Sequence, residues 1–316
     1  MADLLKLATR PAPTEDYRKK SGYRTVGVLL AFVGLMATTL AFIANLVAAA
    51  GVDEANSYRE TLAWSFGLAI LSFGTIKVAI AIILMGIIVR LWFRVDSVKE
   101  AVARLHGHSD SAPPAAGSID TDYGEAEITD TPPELLPIHR MARKMWAPML
   151  VMGAMILIIG FIVSLVWAGE TPFTEDAAQA QAWAQGLQFL GEGMLLSGIS
   201  FLLGTILAGL REGGGEVQSS LGIPVTTLKM PATAKAFVAF MMMGMMVEVV
   251  QFILYIVAAG NADDPASFTS YVQWLGPFRE MGLGLLLTGI VLALYTIGNV
   301  LAFQFERVQS IIRTGR

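Results

Sequence analysis

Cysteine is absent from all 316 residues. That excludes disulfides, iron–sulfur clusters and thiolate zinc sites. Histidine is almost as scarce: His106, His108 and His139 are the whole complement. All three fall between apolar runs, so a bis-histidine haem inside the chain is excluded as well. His106 and His108 lack a third ligand at helix spacing, and no metal site or other cofactor is expected beyond structural lipids. Charged residues make up only 15% of the chain against 54% hydrophobic, too apolar for a soluble domain of this length. No phosphate-binding loop, nucleophile motif or metal-hydrolase motif is present, so neither an enzyme active site nor a nucleic-acid partner is expected.

What the sequence has instead is apolar runs of membrane-spanning length. Six can be read, at about 25–48, 65–90, 146–168, 185–210, 235–259 and 278–303. Each crosses a hydrocarbon core of roughly 30 Å at about 1.5 Å per residue. Barrel strands are about ten residues long and alternate, and these runs do neither. The first run is too long for a signal-peptide core and lacks a small-residue cleavage site, so it reads as a retained anchor.

Basic residues fix the expected orientation. Lys6, Arg10, Arg18, Lys19, Lys20 and Arg24 precede the first run, and Arg90, Arg94, Lys99, Arg104, Arg140, Arg143 and Lys144 separate the second from the third. Arg211, Lys229 and Lys235 separate the fourth from the fifth, and Arg307, Arg313 and Arg316 close the chain. The alternate loops carry Asp53, Glu54, Glu60, Glu170, Glu175, Asp176, Asp263 and Asp264, with Arg59 as their one clear basic residue. The positive-inside rule then predicts an inner-membrane protein with both termini cytoplasmic.

The chain also resembles itself. Shifted by 119, residues 23–102 align without gaps on 142–221, and shifted by a further 91 on 233–312. Gly34/Gly153/Gly244, Trp64/Trp183/Trp274 and Gly74/Gly193/Gly284 are among the matching triples, as are Met36/Met155/Met246 and Phe42/Phe161/Phe252. The expected fold is an all-α polytopic membrane protein of six transmembrane helices. It is built as three parallel, same-orientation helical-hairpin repeats, with a closed pseudo-threefold bundle as the simplest arrangement and an open row equally allowed. Mitochondrial carriers share this outline of three two-helix repeats, but their Pro-x-[Asp/Glu]-x-x-[Lys/Arg] signature is missing here.

The predicted organisation is a cytoplasmic segment 1–22, hairpin 23–102, acidic Pro/Ala-rich linker 103–141, hairpin 142–221, short linker 222–232, hairpin 233–312 and tail 313–316. Residues 105–137 contain no Lys or Arg and are expected to be flexible, or to serve as a docking segment for a partner. The stretches "DSVKEAV", "GEVQSSL" and "ERVQSII" read as brief amphipathic helices after each hairpin. Trp64, Trp183 and Trp274 are expected as interfacial anchors. The repeat glycines, with Ser197 and Thr288, are expected to let helix backbones approach closely.

Charges within apolar runs are costly in lipid and mark functional candidates. Lys77 and Glu248 both lie about 18–20 Å from the outer end of their runs, and this matching depth predicts a pair between them. Glu192 is shallower, with Arg279 within about one turn of its depth as expected partner. Gln251 adds a polar group one turn beyond Glu248. None of the three charges Lys77, Glu192 and Glu248 recurs in the other repeats. The function expected is therefore a non-catalytic membrane subunit or scaffold packing with other membrane chains or with its own copies. The alternative is a channel or transporter using Lys77, Glu248, Gln251 and Glu192. A more remote alternative is Cu(I) handling by Met241, Met242, Met243, Met245 and Met246; flexible packing is the commoner use of methionine.

Overall fold

In hydrocarbon every backbone polar group must be satisfied within the protein, and an apolar run does so most simply as a helix. A computed structural model describes residues 22–50, 55–105, 117–121, 124–129, 134–220 and 222–314. Lys6, Arg10, Arg18, Lys19, Lys20, Asp53, Glu54, His106, His108 and Arg316 lie outside the described residues. The described elements are α1 (Gly22–Ala50), α2 (Ala55–Leu105), β1 (Gly117–Thr121), β2 (Gly124–Thr129), α3 (Pro137–Gly169), α4 (Glu175–Ser220), β3 (Val225–Leu228), α5 (Ala232–Gly260) and α6 (Pro265–Thr314).

Among the described residues five helices are long and apolar enough to cross a membrane: α3, α4, α5, Ala63–Met85 of α2 and Met281–Gln304 of α6. In α1 the described apolar stretch is Leu29–Ala41, which lies inside the longer apolar run 25–48 of the sequence. The chain is therefore an all-α membrane protein, with one small sheet added. The expected separate tail helices are not separate. α2, α4 and α6 run on through them without a break, to lengths of 51, 46 and 50 residues. At about 1.5 Å per residue each is roughly twice the length a span requires, so their ends project from the apolar zone.

Consecutive helices pack as hairpins, α1 on α2, α3 on α4 and α5 on α6. Close approach depends on glycine. A Cβ at Gly34 would fall 2.7 Å from Ile76, one at Gly153 2.9 Å from the Leu195 backbone nitrogen, and one at Gly244 2.6 Å from Leu286. The turns are capped by their own polar residues. Thr174 Oγ1 accepts from the Ala177 N–H at 3.3 Å at the start of α4. Asp264 accepts from the Ala266 N–H at 3.1 Å and from Ser267 Oγ at 2.7 Å at the start of α6. These bonds hold the Asp264 carboxyl below its ordinary value.

Helix α4 is the centre. Of its apolar window 83% is buried, against 22–33% for the other four, so its neighbours must surround it. Its small residues explain the position: Gly186, Gly191, Gly193, Ser197, Gly198, Ser200 and Gly204 are all buried. Both α2 and the α5–α6 hairpin pack on it, and α2 also packs on α3. Among the described residues no extended interface joins the first hairpin to the third. The hairpins thus lie, among the described residues, in a row with α4 in the middle.

The linkers differ from expectation more sharply. Within the supposedly flexible 105–137 segment, β1 and β2 form an antiparallel pair, and β2 pairs antiparallel with β3 from the second linker. Gly124, at φ 124°, starts β2 in a conformation that side-chain-bearing residues rarely adopt. Ala126 of β2 is fully buried, and Glu125 forms an ion pair with Lys229. The sheet is anchored to α4 by Gln218. Its Oε1 accepts the Thr226 N–H at 2.9 Å and its Nε2 donates to the Thr226 carbonyl at 3.1 Å. Gln218 thus satisfies the backbone of β3 as a neighbouring strand would.

Candidate functional site: a polar cluster around α4

The intramembrane polar residues lie on the helices that meet α4. Lys77 on α2 donates from Nζ to Glu192 Oε1 on α4 at 2.7 Å, with side-chain exposures of 18% and 9%. The expected partner, Glu248, is elsewhere. It lies on α5, 3% exposed, with its carboxylate between two glycines. A Cβ at Gly193 would fall 2.5 Å from Glu248 Cγ, and one at Gly282 on α6 would fall 2.8 Å from its Oε1.

The physical reason for the exchange of partners is angular. Depth along a helix places two residues at one level but does not say which way they face. Because α4 lies between α2 and α5, Lys77 reaches the α4 residue on its own side. Glu192 faces α2, and the next residue, Gly193, faces α5 about 100° further round.

Arg279 of α6, the partner expected for Glu192, approaches α4 one turn away from that residue. Its guanidinium lies over the Phe189 ring of α4, 4.3 Å from the centroid, one turn from Glu192. Gln251 of α5 is 1% exposed and Gln188 of α4 likewise 1%. Gln188 Nε2 donates to the Gly160 carbonyl of α3 at 3.4 Å. Tyr255, 2% exposed, stands one turn beyond Gln251, with its ring 5.7 Å from that of Phe189. Two polar edges therefore adjoin α4: Gln188 and Glu192, turned toward α3 and α2, and Glu248, Gln251 and Tyr255 on α5. Both have i, i+3 or i+4 spacing.

Sequence reasoning missed Gln188, Phe189 and Tyr255. The i, i+4 step from Gln188 to Glu192 was the available signal for the first. Nothing in the sequence signals that Phe189 meets Arg279.

The remaining candidates are placed as follows. Trp183 is 37% exposed and stands edge-on to Phe252 at 6.3 Å, and Trp64 is half-buried. The Trp274 side chain lies outside the described residues. Ser197 is buried, whereas Thr288 is exposed and donates to the Gly284 carbonyl at 2.8 Å. The methionines do not converge. Met241 is buried, while Met242, Met243 and Met246 are 41–63% exposed on the outer side of α5.

Chemically the cluster provides fixed charge and hydrogen-bonding groups inside a helix bundle. No family model, curated protein or solved structure matches this chain.

Proposed function

We propose that the chain is a non-catalytic integral membrane scaffold, an accessory subunit that packs with other membrane chains. One observation carries this reading: the contact between successive hairpins is made twice and left open a third time. Gly74 of α2 receives Leu157 of α3, whose Cδ1 would lie 2.2 Å from an added Cβ, and Gly193 of α4 receives Glu248 of α5 in the same way. In the internal repeat Gly74, Gly193 and Gly284 occupy one column, and Leu157 and Glu248 occupy another. Gly284 stands at the free end of the row, where an added Cβ would meet nothing within 4 Å. Met281, Leu287, Val291 and Leu294 around it are exposed. A helix from another chain, presenting a bulky residue to Gly284, extends the row by a contact the chain already uses twice.

The threefold repeat itself is supported by packing. Ile76, Leu195 and Leu286, which face Gly34, Gly153 and Gly244, stand in one repeat column. Lys and Arg bias supports a cytoplasmic linker end and an inner-membrane setting. The channel alternative draws on Lys77, Glu192, Glu248 and Gln251. Lys77 and Glu192 are engaged with each other, and Glu248 fills a helix–helix contact, which favours the scaffold.

Native mass spectrometry of the gently solubilised wild type tests the proposal. A fixed-stoichiometry assembly is expected, and Gly284→Trp should split it while leaving the monomer's Tm unchanged. A wild-type monomer carrying lipid alone would sink the proposal.

A further inference from the structure

At the linker end, away from the polar cluster, α4, α5, α6 and β3 enclose a cavity of about 540 Å³. That lies within the range of about 300–1,000 Å³ typical of small-molecule sites. Its two ends differ in chemistry. The rim carries Arg211 of α4, Arg307 of α6, Lys229 and His139, and among the described residues no Asp or Glu lines the cavity. Lys229 is engaged with Glu125 outside the cavity, and Glu127 of β2 acts on Arg211 electrostatically from outside it. Arg307 Nε donates to Gln218 Oε1 at 3.3 Å. Arg211 Nε and His139 Nδ1 are buried without a hydrogen-bond partner. Two guanidinium groups thus face one space, with donor capacity that the protein does not fill. Guanidinium groups bind phosphate oxygens with geometry that favours paired hydrogen bonds.

The other end is apolar. Phe201 and Leu207 of α4, Phe237 and Met241 of α5, and Val300 of α6 line it down to Ser200. From Arg211 to Ser200 is eleven residues of helix, about 16 Å, or half of a hydrocarbon core of roughly 30 Å. A cationic rim above an apolar trough one leaflet deep is complementary to an anionic head group with an acyl chain. The polybasic side of a helix bundle is where such head groups collect.

We infer that this cavity binds an anionic phospholipid, its phosphate against Arg211 and Arg307 and an acyl chain along the trough between α4, α5 and α6. The rim alone would equally suit free phosphate; the trough is what distinguishes the lipid. Occupation joins α4, α5, α6 and the linker sheet at one point, so the bound lipid fastens the third hairpin to the second.

The test uses the full chain in detergent with three probes: phosphatidylglycerol, phosphatidylcholine of the same acyl chains, and inorganic phosphate. Native mass spectrometry reads retention and thermal unfolding reads Tm. Phosphatidylglycerol should be retained about ten- to thirtyfold better than phosphatidylcholine and raise Tm, and phosphate should do neither. Arg211→Gln with Arg307→Gln should remove the preference, whereas Arg211→Lys with Arg307→Lys should keep it. Should the glutamine pair fail to fold, Leu207→Trp carries the test, because it leaves both arginines and fills the trough; it must abolish retention. Equal retention of the two lipids by the wild type overturns the inference, as does a preference that persists in the glutamine pair or retention that survives Leu207→Trp. A Tm rise with phosphate alone overturns it in favour of a bare anion site.

Discussion

Lys77 Nζ and Glu192 Oε1, 115 residues apart in sequence, meet at 2.7 Å and tie the first hairpin to the second. Both side chains are mostly buried, so removing one partner leaves the other's charge uncompensated in a low-dielectric setting, at a cost of about 3–5 kcal/mol. Lys77→Met and Glu192→Leu should each destabilise by this order. The double variant should cost clearly less than the sum, whereas Lys77→Met combined with Glu248→Leu should be close to additive. Double-mutant cycles on unfolding in mild detergent give both numbers, and coupling only in the second cycle would contradict the observed pairing.

Glycine at 193 is required by Glu248, and glycine at 284 is not required by any of the described residues. Gly193→Ala places a methyl group 2.5 Å from Glu248 Cγ and should cost about 1–3 kcal/mol by overpacking. Gly284→Ala meets no atom within 4 Å and should change the isolated chain by no more than about 0.5 kcal/mol apart from a helix-propensity gain. Comparing the two Tm values checks the contrast.

Gln218 substitutes for a strand on the free side of β3. Gln218→Leu removes both hydrogen bonds to Thr226, together with those to the Gly214 carbonyl and from Arg307 Nε, and leaves the buried Thr226 N–H and C=O without these partners, a loss of about 1–3 kcal/mol for each group left unsatisfied. The linker sheet should loosen before the helices do. Limited proteolysis should then cut within 117–129 and 222–231 at concentrations that spare the wild type, and an unchanged cleavage pattern would refute the anchoring role.

The Glu125–Lys229 ion pair sets a pH window for the same sheet. Hydrogen bonds from Lys229 and Ser118 lower the Glu125 carboxyl below 4.5, so its contribution is present above that value and fades as pH falls through the lowered one. The Glu125 carboxylate raises the Lys229 ammonium above 10.5, so that contribution is present below 10.5 and fades as pH rises through the raised value. Both groups are solvent-exposed and the pair is screened by salt. Amide exchange of β2 and β3 should be flat across the interval between, faster at either extreme, and modestly faster at high ionic strength. Dependence on pH within the interval would assign the sheet's stability to another group.

The sequence by itself determined the membrane setting and the helical class, because a long apolar run in lipid has few ways to satisfy its backbone other than a helix. It also pointed to the glycines at which helices cross, since only a residue without Cβ lets Ile76, Leu195 and Leu286 sit against the facing backbone. The candidate charges were legible one at a time, by their cost in an apolar run, and so was their depth. Their partners were not. A depth fixes one coordinate, and only the placing of α4 between α2 and α5 gave Lys77 to Glu192 and seated Glu248 beside Gly193. The β-sheet was equally hidden. Its strands are four to six residues long, carry little hydrophobic alternation, and gain stability only from one another and from Gln218, so the β2–β3 pair forms across about a hundred residues of intervening helix. The cavity at the linker end depends on the same tertiary event, because Arg211 and Arg307 come from different hairpins and share one space only once α6 lies against α4.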